Sequence, residues 1–165
     1  MGDTQKAACF SEVPLDRLDR LVERRSKYGV AFRQEFLTQR GGARVWYVEN
    51  DGAVAQSIRE MVTARAVPGM DVDDTFWKMT PFFDFPSEAY DYQFEWEREW
   101  RVPGGLTFQP ADVAFLFIPE NLHSAARAFF DDHEAEGTGP SYKCPYLDPL
   151  WPDERLQAVF AGAEL

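Results

Sequence analysis

Charged and aromatic residues alternate through Glu95-Trp96-Glu97-Arg98-Glu99-Trp100-Arg101, the densest chemistry-bearing stretch of the chain. On a strand, successive side chains point to opposite faces, so Glu95, Glu97, Glu99 and Arg101 would share one side and Trp96, Arg98 and Trp100 the other. Carboxylates two residues apart repel one another, and one of them should hold its proton more tightly unless a cation such as Arg101 compensates. Glu99 and Glu97 are therefore the candidates for a general base or a stabiliser of developing positive charge. The plainer reading is a solvated carboxylate row over a packed face of Trp96 and Trp100, with Arg98 stacked on the indoles or paired to an acid. A helix would also group Glu95 with Glu99, which are four apart.

The second candidate segment is Cys9-Phe10-Ser11-Glu12-Val13-Pro14, which reads as a strand end feeding a helix start. Ser11 lacks the flanking glycines of a nucleophile elbow and has no nearby His, so a helix-capping role is the plain expectation. Cys9 reads as a small buried hydrophobe before it reads as a thiolate. The chain's two cysteines, Cys9 and Cys144, have no Cys-x-x-Cys spacing and no histidine cluster, so no metal is expected. His123 and His133 are expected on the solvent side of one helix. Gly41-Gly42 precedes a strand, which makes it a helix stop and not a phosphate loop.

These residues need elements to hold them. Pro14 followed by Leu15, Leu18, Leu21 and Val22 predicts a helix with one apolar face. A strand is expected at Tyr28 to Phe32, a helix from Arg33 to Arg40, a strand from Arg44 to Glu49, and a helix over 53–66 spaced by Val54, Ile58, Met61 and Val62. The Pro- and Phe-rich stretch from Pro68 to Tyr92 reads as a long loop that is functional or hides short elements, and Phe76 to Phe85 are candidate contact aromatics. Val113 to Ile118 predicts a buried strand, Pro119 opens a helix, and a second Pro-rich loop around Tyr142-Lys143-Cys144-Pro145-Tyr146 leads to a last helix from Pro152 to about Gly162. The expectation is an α+β fold in a single domain, residues 1–165, with a small mixed or antiparallel sheet flanked by several short helices.

The 165 residues are 45% hydrophobic and include 14 Phe, 5 Trp and 6 Tyr, enough for a core without disulfides. A formal charge of -11 opposes binding to nucleic acid or anionic lipid. The one basic run, Arg17, Arg20, Arg24, Arg25 and Lys27, is interleaved with Asp16, Asp19 and Glu23 and reads as a solvated face. No membrane span or secretory signal is evident, so a cytoplasmic protein is expected.

Taken in order, Cys9-Phe10-Ser11-Glu12-Val13-Pro14-Leu15, Tyr28-Gly29-Val30-Ala31-Phe32, Val45-Trp46-Tyr47-Val48 and Glu97-Arg98-Glu99-Trp100-Arg101 resemble the AbiGi-type abortive-infection proteins of bacteria. The resemblance implies a cytoplasmic phage-defence protein, antitoxin-like or regulatory, acting through a protein partner; no cofactor is expected. Related chains carry an N-terminal segment with a His-Phe-type strand before the Cys-Phe-Ser motif. Only eight residues precede Cys9 here, so either Met1 lies downstream of the natural start or that strand has been lost. The alternative is an ADP-ribosyltransferase-like, NAD-using enzyme, because Glu97-Arg98-Glu99 is similar to the Glu-x-Glu of one such class. Glu99 and Glu97 would then be catalytic, with Ser11, Tyr28, Trp100, Arg98 and Arg101 binding the substrate.

Overall fold

The computed structural model describes residues 6–12, 14–67, 69, 71, 73–85 and 95–162. Its fold is α+β, with short helices and sheets of two or three strands. The contacts gather into two units, residues 1–12 with 38–106 and residues 13–37 with 107–165.

In the first unit, β6 (Trp100–Pro103) runs between β1 (Ala7–Phe10) and β3 (Ala43–Arg44), antiparallel to both. The register places Cys9 and Ala43 on either side of Arg101, and Phe10 and Arg44 on either side of Trp100. Val102 of β6 is buried. Gly104 and Gly105 adopt positive φ of 80° and 99°, and the Gly104 N–H closes the sheet end on the Lys6 carbonyl at 2.7 Å. An L side chain disfavours that backbone, which is why the Pro103-Gly104-Gly105 signal ends β6.

The strand expected from Arg44 to Glu49 breaks at Val45, and β4 (Trp46–Tyr47) pairs in parallel with β5 (Phe83–Asp84). Behind β4, α3 (Ala53–Ala66) buries Ala55 and Ile58 against Val48, with Val62, Phe83 and Phe85 around them. The expected aromatic loop contains two 3-10 turns, Thr75–Lys78 and Thr80–Phe82. Phe76 is buried there under the Arg65 guanidinium, 4.7 Å from its ring centroid, so it packs inward and is not a contact anchor. Residues 86–94 of that stretch lie outside the described residues.

The second unit holds a sheet in which β7 (Val113–Phe117) pairs antiparallel with β2 (Gly29–Phe32) and parallel with β8 (Tyr146–Leu147). The helix expected after Pro14 begins as a 3-10 turn, Leu15–Arg17, and continues as α1 (Leu18–Arg24). Leu18, Leu147 and Leu156 of α5 (Asp153–Gly162) form one core, and Val113, Leu116, Ile118 and Tyr146 form another. Phe130 and Ala126 of α4 (His123–Ala135) pack on the second. Both histidines are half-buried, and Nε2 of His123 lies 2.8 Å from the Ile118 carbonyl. The chain passes from this unit to the first through α2 (Gln34–Gln39), and Gly41, at φ 78°, supplies the stop expected there.

Candidate functional site

The Glu-x-Glu segment is not the alternating strand its sequence suggests. Glu95–Glu97 is a 3-10 turn, and β6 begins only at Trp100. Between them Arg98 has φ 46°, a left-handed conformation that a residue with a Cβ adopts at a cost of about 1–3 kcal/mol. This turn separates the carboxylates of Glu97 and Glu99 into two environments, where a strand would have placed them in one row.

Glu97 is buried, and the Ser11 hydroxyl donates to its Oε2 at 2.9 Å. The Glu12 N–H donates to the Glu97 carbonyl at 2.8 Å, so β1 is continued by contacts that hold this turn. Ser11 therefore secures a residue 86 positions away and caps no helix. The sequence expectation failed because the competing acceptor is remote in the chain.

Glu99 sits in a ring of donors. Arg101 reaches its two oxygens from Nε at 2.8 Å and Nη2 at 3.2 Å, and the Tyr47 hydroxyl donates to Oε2 at 3.1 Å. The Cys9 thiol lies near the same carboxylate and favours its ionised form. Burial raises the Glu99 pKa, but the Arg101 hydrogen bonds, the nearby Cys9 thiol, the Arg101 charge and the Tyr47 hydroxyl outweigh it and leave the group below its ordinary value. Arg101 is filled as well: Nη2 also donates to Asp84 at 2.7 Å and Nη1 to the Pro81 carbonyl at 2.9 Å. Burial and the neighbouring carboxylate push the Cys9 thiol and the Tyr47 phenol up, so neither is a ready nucleophile or base at neutral pH. Cys9 is exposed as a residue, contrary to the buried hydrophobe expected, because its strand lies at the sheet edge.

Glu12 organises the outer side of the site. It accepts from Arg44 Nε at 2.9 Å and Nη2 at 2.6 Å, and from the Trp100 indole at 2.7 Å, while Arg98 lies at 3.8 Å. Burial raises its pKa, but the indole and Arg44 bonds prevail and hold it below the usual carboxylate range. Glu12 thus contributes stability that is full above its unfolded value of about 4.3 and is lost as pH falls through its lower folded value. Trp100→Phe removes the indole donor to an ionised carboxylate and should cost about 1.5–3 kcal/mol at pH 7. The gap between variant and wild type should close as the pH is lowered through 4, read as urea midpoints across the pH range.

Of the residues chosen from sequence, the first unit brings together Ser11, Glu97, Arg98, Glu99, Trp100 and Arg101. Tyr28 belongs to the second unit, where it is 52% exposed and the Lys27 ammonium lies 6.0 Å from its ring centroid. Sequence reasoning missed Glu12, Arg44, Tyr47 and Asp84. Arg44 and Tyr47 flank Val45-Trp46 in the strand signal, but nothing in the sequence tells which acid each would meet. Among the described residues, no group of three or more His, Cys, Asp and Glu could hold a metal ion.

A family model described as Putative abortive phage resistance protein AbiGi, antitoxin, matches residues 3–134. The chain belongs to the AbiGi family. No curated protein and no solved structure matches it. The AbiGi match spans β1, the Glu12 and Glu99 clusters and most of α4, and membership supports a phage-resistance, antitoxin-like role. Among the described residues, no helix is long and apolar enough to cross a membrane.

Proposed function

We propose that this AbiGi chain acts as the antitoxin of a phage-defence pair by binding a protein partner, with the Glu97 to Arg101 segment serving as its scaffold. The observation that carries this reading is the occupancy of Glu99. Its carboxylate is engaged by Arg101 on both oxygens and by Tyr47, and its pKa is lowered. A general base needs a free lone pair directed at the substrate and a pKa near the working pH. An electrostatic stabiliser needs its charge unneutralised where the reaction develops. Glu99 meets neither requirement while Arg101 holds it.

One contact favours the ADP-ribosyltransferase-like alternative, in which NAD would be consumed: Ser11 and Glu97 place a hydroxyl against a carboxylate at 2.9 Å. That hydroxyl, however, donates to a carboxylate on a residue only 4% exposed, as a structural hydrogen bond would.

The test is neutralisation. Bacteria expressing the cognate toxin should resume growth when this chain is co-expressed, and the two purified proteins should sediment as one species. Toxin action that continues unchanged beside folded, abundant chain would overturn the reading.

A further inference from the structure

One face of α4 is left without a partner. Ala126 and Phe130 pack inward on the core of the second unit, while Ala125, Phe129 and Leu122, the residue just before the helix, are exposed. Leu122 is 37% exposed and Phe129 55% exposed. Phe129 is nonetheless held in place: the His133 ring lies against it, tilted by 37° with centroids 4.0 Å apart, and Nδ1 of His133 lies 2.8 Å from its carbonyl. An aromatic ring fixed by its own helix and open to solvent binds with little loss of side-chain freedom.

The same stripe continues at helical spacing into Asp132 and Glu136. Their neighbours are engaged: Asp131 accepts from Ser141 at 2.6 Å and Lys143 at 2.7 Å, and Glu134 lies 3.4 Å from Lys143. No cation lies within ion-pair distance of Asp132 or Glu136 among the described residues. Both also sit at the C-terminal end of α4, where the helix dipole disfavours negative charge. The face is therefore an apolar stripe that ends in two exposed carboxylates, a charge pattern that a basic partner would complement.

We infer that this face of α4 receives an amphipathic helix of the protein partner, whose apolar side covers Leu122, Ala125 and Phe129 and whose Lys or Arg residues pair with Asp132 and Glu136. This names where the partner docks and rests on the antitoxin reading above. A second copy of the chain fits poorly, because the stripe has no cation of its own to offer and each copy carries a formal charge of -11.

The probe is a labelled synthetic helix of about 15 residues with Leu at positions i, i+3, i+4 and i+7 and Lys at one end. Its control has the same composition with the Leu residues scattered. Fluorescence anisotropy should show the full chain binding the amphipathic peptide at least about tenfold tighter than the control. Phe129→Ser, an exposed change that should preserve the melting temperature, should abolish that preference, and Asp132→Asn with Glu136→Gln should weaken it and remove its salt dependence. Equal binding of the two peptides, or binding unaffected by Phe129→Ser, would overturn the inference. Toxin neutralisation by the wild-type chain and by Phe129→Ser separates the two proposals. Neutralisation by both overturns the α4 assignment alone, whereas failure of the wild type overturns the antitoxin reading and with it the identity of the partner.

Discussion

Arg101→Met should lower the melting temperature by about 6–12 °C. The guanidinium joins Glu99, Asp84 and the Pro81 carbonyl in one cluster, with its own side chain 18% exposed and those of Glu99 and Asp84 15% and 21% exposed. Removing one partner from a largely buried ionic group leaves the remaining charges uncompensated, at a cost of about 3 kcal/mol or more. In a chain of this length each kcal/mol moves the midpoint by about 2–4 °C. The sign of the pH dependence follows from Glu99. In the wild type its lowered pKa adds stability above the unfolded carboxylate value of about 4.3, and that stability is lost as pH falls through the folded value. Without Arg101 the gain is absent at neutral pH, so the deficit of Arg101→Met should be greatest at pH 7 and shrink towards pH 3. Arg101→Lys should recover only part of the loss, because one ammonium cannot reproduce a fork that reaches two carboxylates and a carbonyl.

Elements that carry their own periodicity were legible in the sequence. α3 is marked by Val54, Ile58, Met61 and Val62, β7 by an unbroken apolar run, and Gly41 and the Gly104-Gly105 pair by turn chemistry that the backbone uses. β8 was hidden, because Tyr146–Leu147 is only two residues long and lies among prolines. Its place is set by pairing with β7, a contact that local propensity does not encode.

The site was legible as a set of residues but not as an arrangement. Alternation from Glu95 to Arg101 reads as a strand, and the reading fails over Glu95–Glu97, which form a 3-10 turn, and at Arg98, whose positive φ nothing in its side chain announces. Once that turn is made, Glu97 goes to Ser11 and Glu99 to Arg101, and the expected carboxylate row does not exist. The part of Glu12 was equally hidden. Its partners Arg44 and Trp100 are 32 and 88 residues away, brought together by the register of β3 on β6.

The second large effect concerns Glu99 itself. Glu99→Gln preserves the shape but removes the charge and turns one acceptor into an amide donor, which must then face the donors of Arg101 or Tyr47. A hydrogen bond to a charged group is worth about 1.5–3 kcal/mol, and several are weakened here together, so a loss of about 2–3 kcal/mol is expected. A catalytic carboxylate behaves in the opposite way, since its replacement spares stability and abolishes turnover.

The most direct measurement of the account is therefore urea unfolding of wild type and Glu99→Gln, with NAD consumption followed on the same two samples. The scaffold reading predicts a lower unfolding midpoint for Glu99→Gln with an unchanged slope, and no NAD consumption by either protein. An unchanged midpoint, together with NAD consumption by the wild type that Glu99→Gln loses, would contradict it and make Glu99 a catalytic residue.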